Sequence, residues 1–379
     1  MYNSEFPLQD DIIYLNHAAV APWPACTTQA VTRFAEENSQ QGAKGYLNWI
    51  KAENELREHL RWLINAASVD DIALQKSTSE ALSTIANGID WKAGDNVVIF
   101  QQEFPSNRIV WQMLKRFGVE CRLVDIDAEE EPETALLSCC DEHTRLISVS
   151  SVQYASGLRM DLKRLSDYCV DKGVLFCVDA IQSLGALPFD LTQIPADFVV
   201  ADGHKWMLGP EGVALLYVNP ELRNSLTIHQ FGWHMIESAG DYDSLDTRPA
   251  TTAKRFECGS PNMLGVHALN SSLSLIREIG MEVISDLVLQ NTAYLIELIN
   301  RRTQLRLVSR TDKQRLSGIV TFQVKGTDHA PLYSALMQQG VICAPRGGGI
   351  RFSPHFYTEK EKLQGAFQIL DQILLDSQH

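Results

Sequence analysis

Between Asn96 and Val218 the chain repeats one pattern: a short apolar run, a polar break, an amphipathic stretch, then another apolar run. The runs are NVVIF from Asn96, CRLVDI from Cys121, RLISVSSV from Arg145, VLFCVD from Val174, DFVVAD from Asp197 and GVALLYV from Gly212. Each is too short for a core helix and rich in strand-forming residues, so each reads as a buried strand. EFPSNRIVWQMLKRFG reads as a loop and a helix ended by Gly118, and DLKRLSDYCVDKG as an amphipathic helix. Strands alternating with helices predict an α/β fold, a mostly parallel sheet covered by helices. Ligands of such sheets sit outside the carboxyl ends of the strands. That rule puts Phe104, Ser151, Asp179 and Lys205 at one edge, because each closes or follows an apolar run.

Lys205 is the most unusual of the four. It stands just past the run Phe198 to Ala201, flanked by Gly203, His204 and Trp206. Such a setting disfavours the ammonium, lowers the pKa and makes the amine a nucleophile. A Schiff base to pyridoxal 5′-phosphate (PLP) is the chemistry that most needs such a lysine. A lysine snorkelling at a strand end is the plainer alternative. Asp179 closes LFCVD, where a carboxylate is costly to bury alone. A protonated pyridine nitrogen would satisfy it; so would capping of the next turn. Gln182, just beyond, could reach the ring hydroxyl of the same cofactor.

Elsewhere the chain supplies further candidates. IIYLNHAAVAPWP places Asn16 and His17 beside small residues, which suits close approach to a ligand or a tight crossing of chain segments. Residues 27–64 read as two helices broken near Gly42 and Gly45. IALQKSTSEALSTIANGI reads as a strand, then Ser77, Thr78 and Ser79 opening a helix, with Ser77 and Glu80 in capping-box spacing. A hydroxyl-rich helix start is also a phosphate cradle, although capping alone explains it. Residues 221–254 lose periodicity and read as a long surface excursion. FECGSPN places the Ser260 hydroxyl in a helix-entry turn. The last third reads as a smaller α+β unit: helices at 264–279 and 281–302, strands at 304–308 and 317–324, a helix at 329–339, short strands near 341–344 and 349–353, and a helix from Thr358. In RGGGIRFSPHFY, Arg351 offers a fork suited to a carboxylate, or is a surface arginine in a glycine hairpin.

Composition narrows the partners. A net charge of −14 lacks the footprint of a nucleic-acid or anionic-membrane binder. No apolar run is long enough to span a bilayer, and MYNSEFPLQDD has no signal-peptide pattern. Eight cysteines without CxxC spacing indicate neither a metal site nor a disulfide framework, and suggest a reducing, cytoplasmic setting.

Taken in order, YLNHAAVAP, STSEA, EFPSN, SSVQYASG, VDAIQ, DGHKWMLGPEG, FECGSPN and GGIRFS resemble the class V aminotransferase family of fold-type I PLP enzymes. The nearest branch is similar to cysteine desulfurase-like and isopenicillin-N-epimerase-like proteins. The resemblance implies a large PLP domain at 15–260 with a mostly parallel seven-stranded sheet, and a small domain at 261–379 on which 1–14 packs. It implies that Lys205 holds PLP and acts as base at Cα, with Asp179 on the pyridinium nitrogen and Gln182 on the phenolic oxygen. Thr78, Ser79 and His204 would hold the phosphate, and Phe104 would stack on the ring. Ser151 would lie beside the cofactor, and Asn107 would support the ring-side loop. Ser260 would reach the phosphate of a second subunit, hence a homodimer. Arg351, with Asn16 and His17, would bind a small L-α-amino acid. Transamination is the first expected outcome; carbon–sulfur lyase chemistry, racemisation and a catalytically degenerate PLP binder are alternatives. Two departures disfavour a persulfide-carrying desulfurase: Phe104 stands where a histidine is usual, and no cysteine lies between Arg346 and Arg351.

Overall fold

In the computed structural model, which describes residue 2 and residues 4–376, the alternating stretch forms one sheet. The chain begins with β1 (Ile13–Tyr14) and the helices α1 (Ala25–Gln41) and α2 (Tyr46–Leu63). Then come β2 (Ile72–Gln75), α3 (Thr78–Gly88), β3 (Asn96–Phe100), α4 (Ser106–Gln112) and β4 (Glu120–Val124). They are followed by α5 (Pro132–Ser138), β5 (Thr144–Ser150), α6 (Leu162–Lys172), β6 (Leu175–Asp179), β7 (Phe198–Asp202) and β8 (Ala214–Val218). The helix α5 follows an acidic run, Glu129 to Glu131; Pro132 opens it with Glu133 beside it, as a helix start favours.

Strand order is β2-β8-β7-β6-β5-β3-β4. All neighbours pair in parallel except at β8, which runs against both β7 and β2. Side chains alternate between two buried faces. Val98, Ile147, Val178 and Val199 join a core with α2 and α6, while Val97, Leu146, Cys177 and Val200 join one with α3 and α4. Burial on both faces is why these strands read as unbroken apolar runs. After β4 the chain returns to the other side of β3, so the order reverses between β3 and β5. A crevice opens at such a reversal.

The remainder builds a second, antiparallel sheet. After α7 (Met263–Ile279) and α8 (Met281–Asn300) come β9 (Leu305–Leu307), β10 (Val320–Val324), α9 (His329–Gln338), β11 (Val341–Ile342), β12 (Ala344–Arg346), β13 (Gly349–Phe352) and α10 (Lys360–Asp376). Its order is β12-β13-β10-β9, and β1 pairs separately with β11. The apolar face of α7 (Val266, Leu269, Leu273, Ile276) belongs to the core of the large sheet. The expected division at residue 261 therefore falls ahead of a helix that packs with the first unit. Helix α8 spans both, with Val288 in one core and Leu295 in the other.

Candidate active site

The carboxyl ends of β3, β6 and β7 carry Phe104, Asp179 and Lys205 to one cavity of about 270 Å³, shared with Ala18, Thr78, Ser79, Gln182, His204 and Arg351. Lys205 is 8% exposed, and its Nζ lies 5.5 Å from the centroid of the Phe104 ring. Burial brings its pKa down to about 8, against the pull of Asp179. Asp179 is 1% exposed, and burial raises its pKa to about 6. Among the described residues its carboxylate accepts one hydrogen bond, from Ile181 N at 3.1 Å, and it lines the cavity.

The backbone around Lys205 is tightly specified. Leu208 takes φ 60, an unfavourable conformation for a branched side chain costing ~1 kcal/mol. The loop is closed by Gly203 N on Val213 O and Gly209 N on Gly203 O. Gly185 has φ 95 and lies against it: a Cβ there would stand 2.2 Å from Trp206 O. Trp206 Nε1 donates to Gln182 Oε1, and Gln182 Nε2 to Ala18 O, so both ends of the Gln182 amide are held.

Helix α3 aims its N-terminus at the cavity. Ser77 caps it by accepting from Glu80 N, while the Glu80 carboxylate accepts from Lys76 N. The other first-turn N–H groups have no partner within the helix and favour an anion. Thr78 Oγ1 accepts from Asp202 N, and Ser79 Oγ shares a hydrogen bond with Ser106 Oγ. Asp202 turns to His204 at 2.9 Å, off the line of a good hydrogen bond.

Arg351 reaches the cavity from β13. It is 2% exposed, donates to Tyr154 O at 2.7 Å and Asn16 Oδ1 at 3.3 Å, and keeps a buried Nε unpaired. Burial, with Arg346 nearby, lowers its pKa to about 10. Phe104 is set by the segment behind it. Glu103 accepts from Ser150 N and Asn107 Nδ2, while Asn107 Oδ1 accepts from Trp111 and Ser148. Burial raises the Glu103 pKa to about 7.

Four expected residues do not line this cavity. Asn16 meets it only through its hydrogen bond from Arg351. The Ser151 hydroxyl bonds Ser183 Oγ and Asp179 O and faces a different cavity. Strand alternation decides this, because Ser150 points toward Glu103 and its neighbour therefore turns the other way. His17 is fully buried between Ser353 and Tyr357. Nδ1–H donates to Ser353 O, so Nε2 accepts from the Tyr357 hydroxyl. Ser260 lies in a neighbouring cavity with Lys76, Glu80 and Asn262. Conversely, Tyr154, Ser106, Glu211 and Arg346 line the Lys205 cavity without having been singled out for it. Tyr154 meets Phe104 edge-on at 5.2 Å. It follows β5 as Phe104 follows β3, so the strand-end rule extended a few residues would have found it.

The residues present fit PLP. A buried amine, a buried carboxylate with one backbone donor among the described residues, an aromatic ring and the N-terminus of a helix share one cavity.

The aminotransferase class-V family model matches residues 13–364. A probable cysteine desulfurase of Methanothermobacter thermautotrophicus is 30% identical, over 97% of this chain and 96% of its own. The uncharacterized aminotransferase YcbU of Bacillus subtilis is 31% identical, over 83% of this chain and 81% of its own. Among solved structures, the cystine C–S lyase C-DES with its product cysteine persulfide matches at a TM-score of 0.89 and 22% identity, over 97% of this chain and 99% of that one. An apo cysteine desulfurase from Thermococcus onnurineus matches at 0.85 and 23%, over 98% and 97%. These structures show a shared fold, that of fold-type I. The chain belongs to the class V aminotransferase family of PLP-dependent enzymes.

Proposed function

We propose that this enzyme removes the Cα proton of a small L-α-amino acid, with transamination as the outcome. One observation carries the reading: Lys205 and Asp179 face one cavity, both buried, each shifted toward its neutral form. PLP, when bound, supplies the electron sink for the carbanion. Lys205 holds the cofactor and moves the proton at Cα, a role served by an amine pKa near neutrality. Asp179 would hold the ring nitrogen protonated, and Gln182 would meet the phenolic oxygen. Phe104 covers one ring face and excludes water there. The start of α3, with Thr78, Ser79 and His204, holds the phosphate. Arg351, oriented by Asn16 and the Tyr154 carbonyl, binds the substrate carboxylate through two parallel bonds.

A second reading, loss of a sulfur substituent at Cβ, is favoured by the relatives named cysteine desulfurases. Among the described residues no cysteine lines the Lys205 cavity, and Cys343 is buried with its pKa pushed up to about 12. Sulfur would then leave without passing through an enzyme thiol. Ser260 lines a cavity other than that of Lys205 of its own chain, which supports a homodimer with shared sites. Eight free thiols support a cytoplasmic setting.

The test is the visible spectrum of the PLP-loaded protein after L-alanine, L-cysteine or a cysteine conjugate. Conversion to the pyridoxamine form supports transamination. Pyruvate release with the original band restored supports elimination. No spectral response to any of the three would overturn the amino-acid reading.

A further inference from the structure

Behind the turn that follows β6 lies another cavity, of about 470 Å³. Part of its wall is apolar, built by Val152, Met160, Leu187, Pro188, Phe189 and Ile194, and Glu131, Asp161, Lys163 and Arg315 also line it. One cation among its lining groups is not neutralised. The backbone of Arg159 is fixed by two bonds with Arg315, through Arg159 N on Arg315 O and Arg315 Nη1 on Arg159 O. Among the described residues its guanidinium has neither a hydrogen-bond acceptor nor an ion-pair partner. The other charged groups have partners. Arg315 lies between Glu131 and Glu133, Lys163 pairs with Asp167, and Asp161 accepts from Arg164 N.

A partly buried guanidinium without acceptors is an unfavourable arrangement, because it gives up water without replacing it. Its planar fork matches a carboxylate. The apolar part of the wall matches a short aliphatic or aromatic tail, and the volume lies within the range of small-molecule sites. The inner end presents the Ser151 and Ser183 hydroxyls, 2.7 Å apart. Ser183 belongs to the turn that carries Asp179 and Gln182 on its other side, so one turn separates this cavity from that of Lys205.

We propose that this cavity is a second small-molecule site, taking an amphipathic monocarboxylate whose carboxylate pairs with Arg159 and whose tail fills the apolar pocket. The site is built independently of the chemistry at Lys205.

The test is calorimetric titration of the PLP-loaded protein carrying Arg351→Gln, which removes the carboxylate fork of the substrate cavity. The probes are hexanoate and hexan-1-ol. Hexanoate should bind saturably, with a dissociation constant on the order of 1 mM or below. Adding Arg159→Gln should weaken it at least ten-fold, Arg159→Lys should restore part of the affinity, and hexan-1-ol should bind at least ten-fold more weakly than hexanoate. Unchanged hexanoate affinity in the Arg159→Gln protein, equal affinity for the alcohol, or no saturable binding would each overturn the proposal. Thermal unfolding of each variant confirms that the titrated protein is folded.

Discussion

Trp206 Nε1 donates to Gln182 Oε1 across 3.0 Å, tying the loop of Lys205 to the turn of Asp179. This buried hydrogen bond joins the segments that carry Lys205 and Asp179, whose pKa values are shifted in opposite directions. The Trp206 ring also fills space beside Gly318, where a Cβ would lie 2.3 Å from it.

Trp206→Phe removes that donor and leaves the Gln182 oxygen unpaired in the core. A loss of about 2–4 kcal/mol is expected from the unsatisfied acceptor and the vacated volume. PLP affinity should fall with it. Urea unfolding and a PLP titration check both; unchanged values would show that the loop is held by other contacts.

The pH dependence of the cofactor-free protein follows from Lys205. Burial lowers its pKa from 10.5 to about 8. The unfolded chain thus binds more protons than the folded one between these values, and stability rises with pH through that window. Lys205→Met removes the cost of the buried ammonium. The variant should be more stable than the parent below pH 8, by on the order of 3 kcal/mol, with the gap closing above roughly pH 10.5. Unfolding at pH 7 and pH 10.5 gives the comparison. A gap that widens at high pH would contradict the lowered pKa. The same variant should lose turnover by at least ~10³-fold.

Arg351→Gln should raise the KM for an amino-acid substrate by roughly 10²-fold, because a neutral amide replaces a charge-assisted fork. PLP affinity should change little, since Arg351 is held by Tyr154 and Asn16. Steady-state kinetics beside a PLP titration separates the two. A large fall in cofactor affinity with unchanged KM would move Arg351 from substrate to cofactor.

Away from the site, Arg57 donates to both oxygens of Glu257 and to Glu53, with all three buried. Glu53, Glu257 and His234 stand close enough to surround a cation, and Arg57 already supplies the charge. Arg57→Met leaves two buried carboxylates unpaired and should cost about 3–5 kcal/mol. Urea unfolding near neutral pH measures it. A loss under 1 kcal/mol would mean that water reaches the carboxylates.

The strands were legible because burial on both faces writes them as unbroken apolar runs, and their ends located Phe104, Asp179 and Lys205. The direction of β8 was not legible, since an antiparallel neighbour buried on both faces has the same apolar composition. Position in the chain points Ser151 toward the cofactor and His17 toward the substrate. Whether a side chain after a strand faces one cavity or the next depends on the parity of a single residue, and Ser150 takes the inward place. Arg346 shares its hairpin with Arg351, yet only the pairing of β12 with β13 brings both to one cavity.

The sequence by itself determined the strand and helix rhythm, the strand-end edge, the lysine and carboxylate placed there, and the family to which they belong. Periodicity and strand termini are local properties, which a chain records residue by residue. Tertiary structure alone decided which groups meet. It buried Lys205 and Asp179 in one cavity, fixed Gln182 between Trp206 and Ala18, and left the Arg159 guanidinium in another without an acceptor among the described residues. These relations depend on solvent exclusion and on side-chain direction across segments far apart in the chain.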